Sequence, residues 1–110
     1  MGGAINDPDR SATAFVHRGS WFTLNYRVTI YPPAVTGPET RAIARKWVDG
    51  GFSAIDPVTS GETYQNYIDP ALADWESSYY AENYTRLTQV KSSCDPYGFF
   101  RFPQGINPGT

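Results

Sequence analysis

The residues able to do chemistry are few, and most of them sit in one stretch. Gly61-Glu62-Thr63-Tyr64-Gln65-Asn66-Tyr67-Ile68-Asp69 sets two phenols three residues apart around an amide. A phenol has an ordinary pKa near ~10, so it serves as a base at neutral pH only where positive charge or hydrogen bonding favours its anion. An asparagine amide both donates and accepts, which suits a polar ligand edge. By residue type alone, Tyr64 on a strand serves packing or proton transfer, and Asn66 serves a turn cap or a ligand.

Outside that stretch, His17 is the only histidine and Cys94 the only cysteine. His17 beside Arg18 could orient a carboxylate, or act as a hydrogen-bonded structural residue at a strand end. A single cysteine excludes an internal disulfide and a multi-cysteine metal site, and no spacing of His, Cys and carboxylates suits zinc or iron. Cys94 reads as a small buried apolar group. Asn83-Tyr84-Thr85 has the form of a glycosylation sequon, but it falls inside an expected helix among apolar neighbours and is discounted. Arg86 and Lys91 read as surface or ion-pairing residues.

The elements that must position these residues belong to a chain of 110 residues, one domain at most, long enough to bury roughly two-thirds of its unfolded surface. Aromatic residues make up 15% of it while the mean hydropathy is -0.46, so much of the apolar area resides in rings. The net charge of -2 supplies no basic stripe for a phosphate backbone, which argues against nucleic acid as a partner. No run approaches the ~18 apolar residues of a membrane span, and the first ten residues lack the layout of a signal peptide. A soluble chain with no address of its own is expected.

Along the chain, Thr13 to His17 reads as a short extended segment followed by a turn at Arg18-Gly19-Ser20. Phe22, Leu24, Tyr26, Val28 and Ile30 alternate with polar residues, the pattern of a half-buried strand that Pro32-Pro33 ends. Residues 1–33 would thus hold a strand pair. Thr36-x-x-Glu39 has the form of a capping box for a helix from about Glu39 to Asp49, within 37–50, that Gly50-Gly51 stops.

Glu62 to Ile68 reads as another strand, with Tyr64 and Asn66 on one face and Gln65 and Tyr67 on the other. Asp69-Pro70 fits the start of a helix carrying Leu72 and Trp75. A last helix, from about Tyr79 to Ser93, would set Tyr80, Tyr84, Leu87, Val90 or Lys91, and Cys94 along one stripe, closed by Asp95-Pro96. The expected class is α+β, a small antiparallel sheet with helices on one face.

Two stretches resemble the berberine-bridge-enzyme-like family of FAD-linked, vanillyl-alcohol-oxidase-type flavoproteins. The 61–69 stretch is similar to the family's Tyr-x-Asn-Tyr-x-Asp segment. Trp75 and Tyr79-Tyr80-Ala81-Glu82-Asn83-Tyr84-Thr85-Arg86-Leu87-Thr88-Gln89-Val90-Lys91 resemble its closing signature, followed by Asp95-Pro96 and Phe100-Arg101-Phe102-Pro103-Gln104-Gly105-Ile106. Gly2 to Ile5 and Thr13 to Arg18 resemble the strand pair that opens the last third of the family's substrate domain. Two residues depart from the pattern: Ala81 where a glycine is usual, and Cys94 where an aromatic is usual.

The resemblance implies that the chain, through its 61–106 motif, is the C-terminal part of a substrate domain whose antiparallel sheet roofs the flavin of an FAD-dependent oxidoreductase. Hydride would pass from an alcohol, amine or sugar-like substrate to FAD. It implies Tyr64 as the group taking the substrate's proton, and Asn66 and Tyr67 as flavin-contacting residues, although an ideal strand turns Tyr67 away. The implied partners are an FAD-binding segment or chain and a small-molecule substrate. Gly2-Gly3 is not a phosphate-cradling loop. The alternative is a non-catalytic interaction or oligomerisation module of the same ancestry, without flavin, whose aromatic face is covered by a partner or a second copy.

Overall fold

The computed structural model describes residues 2–31 and 37–109, and its residues fall into two compact units, 1–23 with 62–110 and 24–61. Among the described residues there is no strand. The expected antiparallel sheet is therefore overturned, in both the 1–33 strand pair and the 62–68 strand.

The physical reason differs between the two places. From Trp21 to Tyr31 the backbone is irregular, and the alternating Phe22, Leu24 and Val28 are exposed. Alternation records that one side of a strand is meant to be covered, yet a strand exists only where a second backbone completes its ladder. No described residue supplies that ladder. In the other place a local turn wins, because the N–H of Tyr67 donates to the carbonyl of Tyr64 at 2.9 Å. An i-to-i+3 bond of this kind reverses the chain and replaces extended geometry.

The unit formed by residues 24–61 is built on helix α1, Pro38–Ile55. Pro38 occupies the first turn, where its missing N–H costs nothing, and Gly37 stands at the cap. The expected Thr36 cap and the Pro32-Pro33 strand end lie outside the described residues. Gly50-Gly51 does not stop the helix, which continues to Ile55. Gly51 has a packing reason to be there: a Cβ on it would lie 3.0 Å from Cδ1 of Tyr26.

The other unit carries α2, Trp75–Tyr80, and α3, Tyr84–Cys94, separated by a 3₁₀ turn over Ala81–Asn83. The last helix was expected to run unbroken from about Tyr79 to Ser93, and Ala81 breaks it, with φ 43° and ψ -128°. That conformation belongs to glycine, so an alanine there is strained. The Asp69-Pro70 segment forms a turn rather than a helix, with the N–H of Leu72 on the carbonyl of Asp69 and the N–H of Ala71 on Asp69 Oδ1. Cys94, the last residue of α3, is exposed, contrary to the buried role expected of it.

Aromatic edges hold this unit together. Trp75 meets Tyr84 edge-on at 5.7 Å, and the rings of Tyr80 and Tyr84 lie nearly parallel at 6.2 Å. Val16 and Tyr79 are its fully buried apolar side chains, and His17, Ser78 and Asn83 are buried polar ones. So small a core leaves much of the positioning to hydrogen bonds. At the end of α3, Lys91 reaches both Asp95 and the carbonyl of Phe100, while the Asp95 carboxylate accepts the N–H groups of Phe99 and Phe100. This closes α3 as Asp95-Pro96 had promised.

Candidate functional site

The Tyr64–Tyr67 turn brings all three sequence-predicted site residues together, by a geometry the strand reading did not contain. The side-chain amide of Asn66 donates to the hydroxyl oxygen of Tyr64 at 2.7 Å. The rings of Tyr64 and Tyr67 meet edge-on at 5.4 Å, so Tyr67 does not face away. Asn66 and Tyr67 are exposed and Tyr64 is half-buried, which leaves polar tips outward on a fixed base. Since Asn66 donates to the phenol oxygen, the proton of Tyr64 is free to point elsewhere.

Behind Tyr64 lie two residues from the early part of the chain. Phe15 contacts its ring edge at 6.1 Å and His17 at 6.3 Å. His17 is buried, with Nδ1 3.1 Å from Glu62 Oε2 and Nε2 3.3 Å from Gln65 Oε1. A carboxylate only accepts, so Nδ1 carries the proton of the first bond; the Gln65 amide supplies whichever partner Nε2 requires. The other Glu62 oxygen accepts from Arg10 at 2.6 Å, and Arg10 also pairs with Glu82 at 2.8 Å.

These contacts set the charges around the site. Glu82 first and Glu62 second hold the Arg10 guanidinium well above its ordinary pKa. Arg10 in turn lowers the Glu82 carboxyl to about 2. Burial pushes the Tyr80 and Tyr84 phenols upward, which disqualifies both as bases at neutral pH.

His17 does not orient a carboxylate with Arg18, whose guanidinium instead donates to the carbonyl of Ile5 and to Thr13 and lies 4.9 Å over the Phe15 ring. Asn83 is buried, its amide donating to the carbonyls of Arg10 and Thr13 at 2.7 and 3.0 Å. The sequon is therefore inaccessible in this fold. Arg10, Phe15, Glu62 and Gln65 were missed as site neighbours. One signal pointed to two of them: a lone buried histidine needs partners, and the site stretch holds an acid and an amide beside Tyr64.

No helix among the described residues is long and apolar enough to cross a membrane. No solved structure gives a significant match. In sequence, residues 63–107 match the family described as Berberine and berberine like. The chain is 32% identical to the FAD-linked oxidoreductase YgaK of Bacillus subtilis, over 98% of its own length and 23% of that protein's. It is 31% identical to Berberine bridge enzyme-like 12 of Arabidopsis thaliana, over 96% of the chain and 22% of that relative. It is 32% identical to a carbohydrate oxidase of Microdochium nivale, over 87% and 20%. The chain thus spans less than a quarter of each of these relatives. Residues 63–107 thus match the berberine and berberine-like family, and the chain as a whole is similar in sequence to part of the berberine-bridge-enzyme-like, FAD-linked oxidoreductases.

Proposed function

We propose that this chain forms one wall of an FAD-dependent oxidation site, as the C-terminal part of a substrate domain, with the Tyr64–Tyr67 turn facing the reacting groups. The observation that carries the reading is the 2.7 Å hydrogen bond from the Asn66 amide to the Tyr64 hydroxyl oxygen. That bond fixes the phenol oxygen in one place, from which it can exchange a proton with a substrate hydroxyl. The donor set also fits a flavin edge: the Asn66 amide offers both a donor and an acceptor, and the exposed Tyr67 ring offers an apolar face.

FAD, when bound, supplies the hydride acceptor. Tyr64, acting as its phenolate, takes the hydroxyl proton of an alcohol or sugar-like substrate and becomes the neutral phenol, while Asn66 holds the phenol oxygen in place. Phosphate binding falls to a partner segment, since this chain has no glycine-rich nucleotide loop.

The test is the anaerobic rate of flavin bleaching by substrate in the flavin-loaded protein that carries this chain. Tyr64→Phe should slow it about 10²- to 10⁴-fold, the range for loss of a proton-transferring group. Tyr67 is 58% exposed and carries the same group, so Tyr67→Phe belongs beside it. A large loss only in Tyr67→Phe moves the proton to that residue. Unchanged bleaching in both variants ends the reading.

One observation favours a flavin-free module instead: Tyr97, Phe99 and Phe100, close together in sequence, are all more than 70% exposed, apolar area that a cover would bury. A colourless, stable oligomer in light scattering with an absorption scan would support that module; a yellow assembly supports the oxidase.

A further inference from the structure

We propose that His17 is a positioning residue for Tyr64, a clamp that grips the site turn from both sides at once. The proposal rests on the reading of Tyr64 as the proton acceptor, and it adds a residue that lies 47 positions earlier in the chain.

The geometry is specific. One imidazole bonds Glu62, two residues before Tyr64, and Gln65, one residue after it, at 3.1 and 3.3 Å. Its ring also meets the Tyr64 ring edge-on at 6.3 Å. Sequence neighbours on either side of the phenol are therefore tied to a single rigid, buried group, which is 5% exposed. Rotation of the turn about its own backbone would break at least one of the two bonds.

The clamp is itself anchored. Arg10 holds the second oxygen of Glu62 at 2.6 Å and is tied through Glu82 to the turn that follows α2. The N–H of Thr63 donates to the carbonyl of Ser78 at 2.9 Å, which fixes the entry to the turn. Phe15 fills the corner between the two rings, 5.2 Å from His17 and 6.1 Å from Tyr64. A core with two fully buried apolar side chains cannot fix a phenol by packing alone. Displacement of a reacting group by about 1 Å can cost on the order of 10²-fold in rate, so such a clamp bears on turnover.

The test uses His17→Ala, His17→Asn and Gln65→Ala in the flavin-loaded protein, each also combined with Tyr64→Phe. Asparagine can reproduce the donor to Glu62 without the ring. His17→Ala should lower kcat about 10- to 100-fold with little change in KM and an unchanged flavin spectrum, and His17→Asn should recover part of the loss. On the Tyr64→Phe background His17→Ala should cost nothing further, because a positioning residue acts only through what it positions.

A second readout is independent of turnover. With ¹³C-labelled tyrosine, the Tyr64 ring signals should shift and broaden in His17→Ala and sharpen again in His17→Asn. Unmoved Tyr64 signals, or a loss in kcat that simply multiplies with that of Tyr64→Phe, overturns the clamp. If His17→Ala does not fold, Gln65→Ala removes one arm from a half-buried position and must show the same pattern at smaller size. Failure of the function reading looks different: Tyr64→Phe itself then leaves bleaching unchanged while the Tyr64 signals still respond to His17→Ala.

Discussion

The Tyr79 hydroxyl donates to Oε1 of Gln104 at 3.2 Å, and the Tyr79 hydroxyl oxygen itself accepts the N–H of Asp69 at 3.0 Å. Gln104 then returns its amide to the carbonyls of Asp69 and Leu72 at 2.8 and 3.1 Å. A buried phenol in α2 and a residue of the tail thus share the turn at 69–72, directly after the site stretch. Gln104 holds φ 63° to reach this position, a conformation few non-glycine residues adopt.

The first prediction follows from that network. Tyr79→Phe keeps the ring but leaves the Asp69 N–H and the Gln104 oxygen without their shared partner, at a cost of about 1–3 kcal/mol. Gln104→Ala should cost a similar amount, and the double variant should cost less than the sum, because both remove the same bond. Thermal unfolding monitored by near-ultraviolet circular dichroism measures all three, and strict additivity would mean that the two residues are not coupled.

A second prediction concerns Ala81, where the berberine-bridge-enzyme-like signature usually carries glycine. Its φ of 43° places a Cβ where only glycine is at ease, a strain of about 1–3 kcal/mol. Glycine would relieve it and give back ~0.5–1 kcal/mol through greater freedom of the unfolded chain. Ala81→Gly should therefore raise the melting temperature by a few degrees, and Ala81→Val should lower it.

The residues that could be read from sequence were those whose local chemistry acts alone. The start of α1, the Arg18-Gly19 turn and the stop at Asp95-Pro96 depend on neighbours a few positions away, and each stands where its residues indicate, whereas the expected stop of α1 at Gly50-Gly51 does not. The sheet could not be read correctly because alternation from Phe22 to Ile30 describes what a strand wants rather than what lies beside it. The break at Ala81 was concealed by a residue type that does not advertise positive φ; the departure from the usual glycine was its one visible trace.

The site divides along the same line. Tyr64, Asn66 and Tyr67 were legible because they are contiguous. Their geometry was not, since a turn and a short strand of the same composition place alternate side chains differently. The ties from His17 to Glu62 and Gln65 span 45 and 48 residues, and no spacing rule reaches so far.

A third prediction compares two adjacent glycines in α1. Around Gly50 nothing lies within 4 Å of a Cβ, so Gly50→Ala should gain the helix preference of alanine, about 0.8–1 kcal/mol. Gly51→Ala meets the Tyr26 ring at 3.0 Å and must push it aside, so it should gain less or lose. Helicity and melting of the two variants, measured in parallel, give the contribution of the Tyr26 contact as their difference. Equal gains would show that the ring yields freely.

The last prediction is the response to acid. Hydrogen bonding from Lys91, then from the Phe99 N–H, lowers Asp95 to about 2, and Arg10 lowers Glu82 to about 2. Unfolded carboxylates titrate near ~4, so in this window the unfolded chain binds more protons than the folded one. The stabilisation from these two groups is present above about pH 4 and disappears as pH falls toward 2. Both groups touch solvent, so added salt should weaken the effect. Lys91→Met should flatten the loss at the end of α3, and Arg10→Met should flatten it at Ala81–Asn83. Two-dimensional NMR spectra recorded from pH 5 to 2 separate these regions, since Phe99 and Phe100 report on Asp95 while Asn83 reports on Glu82. An unchanged Phe99 amide down to pH 2 would mean that Asp95 does not hold that loop.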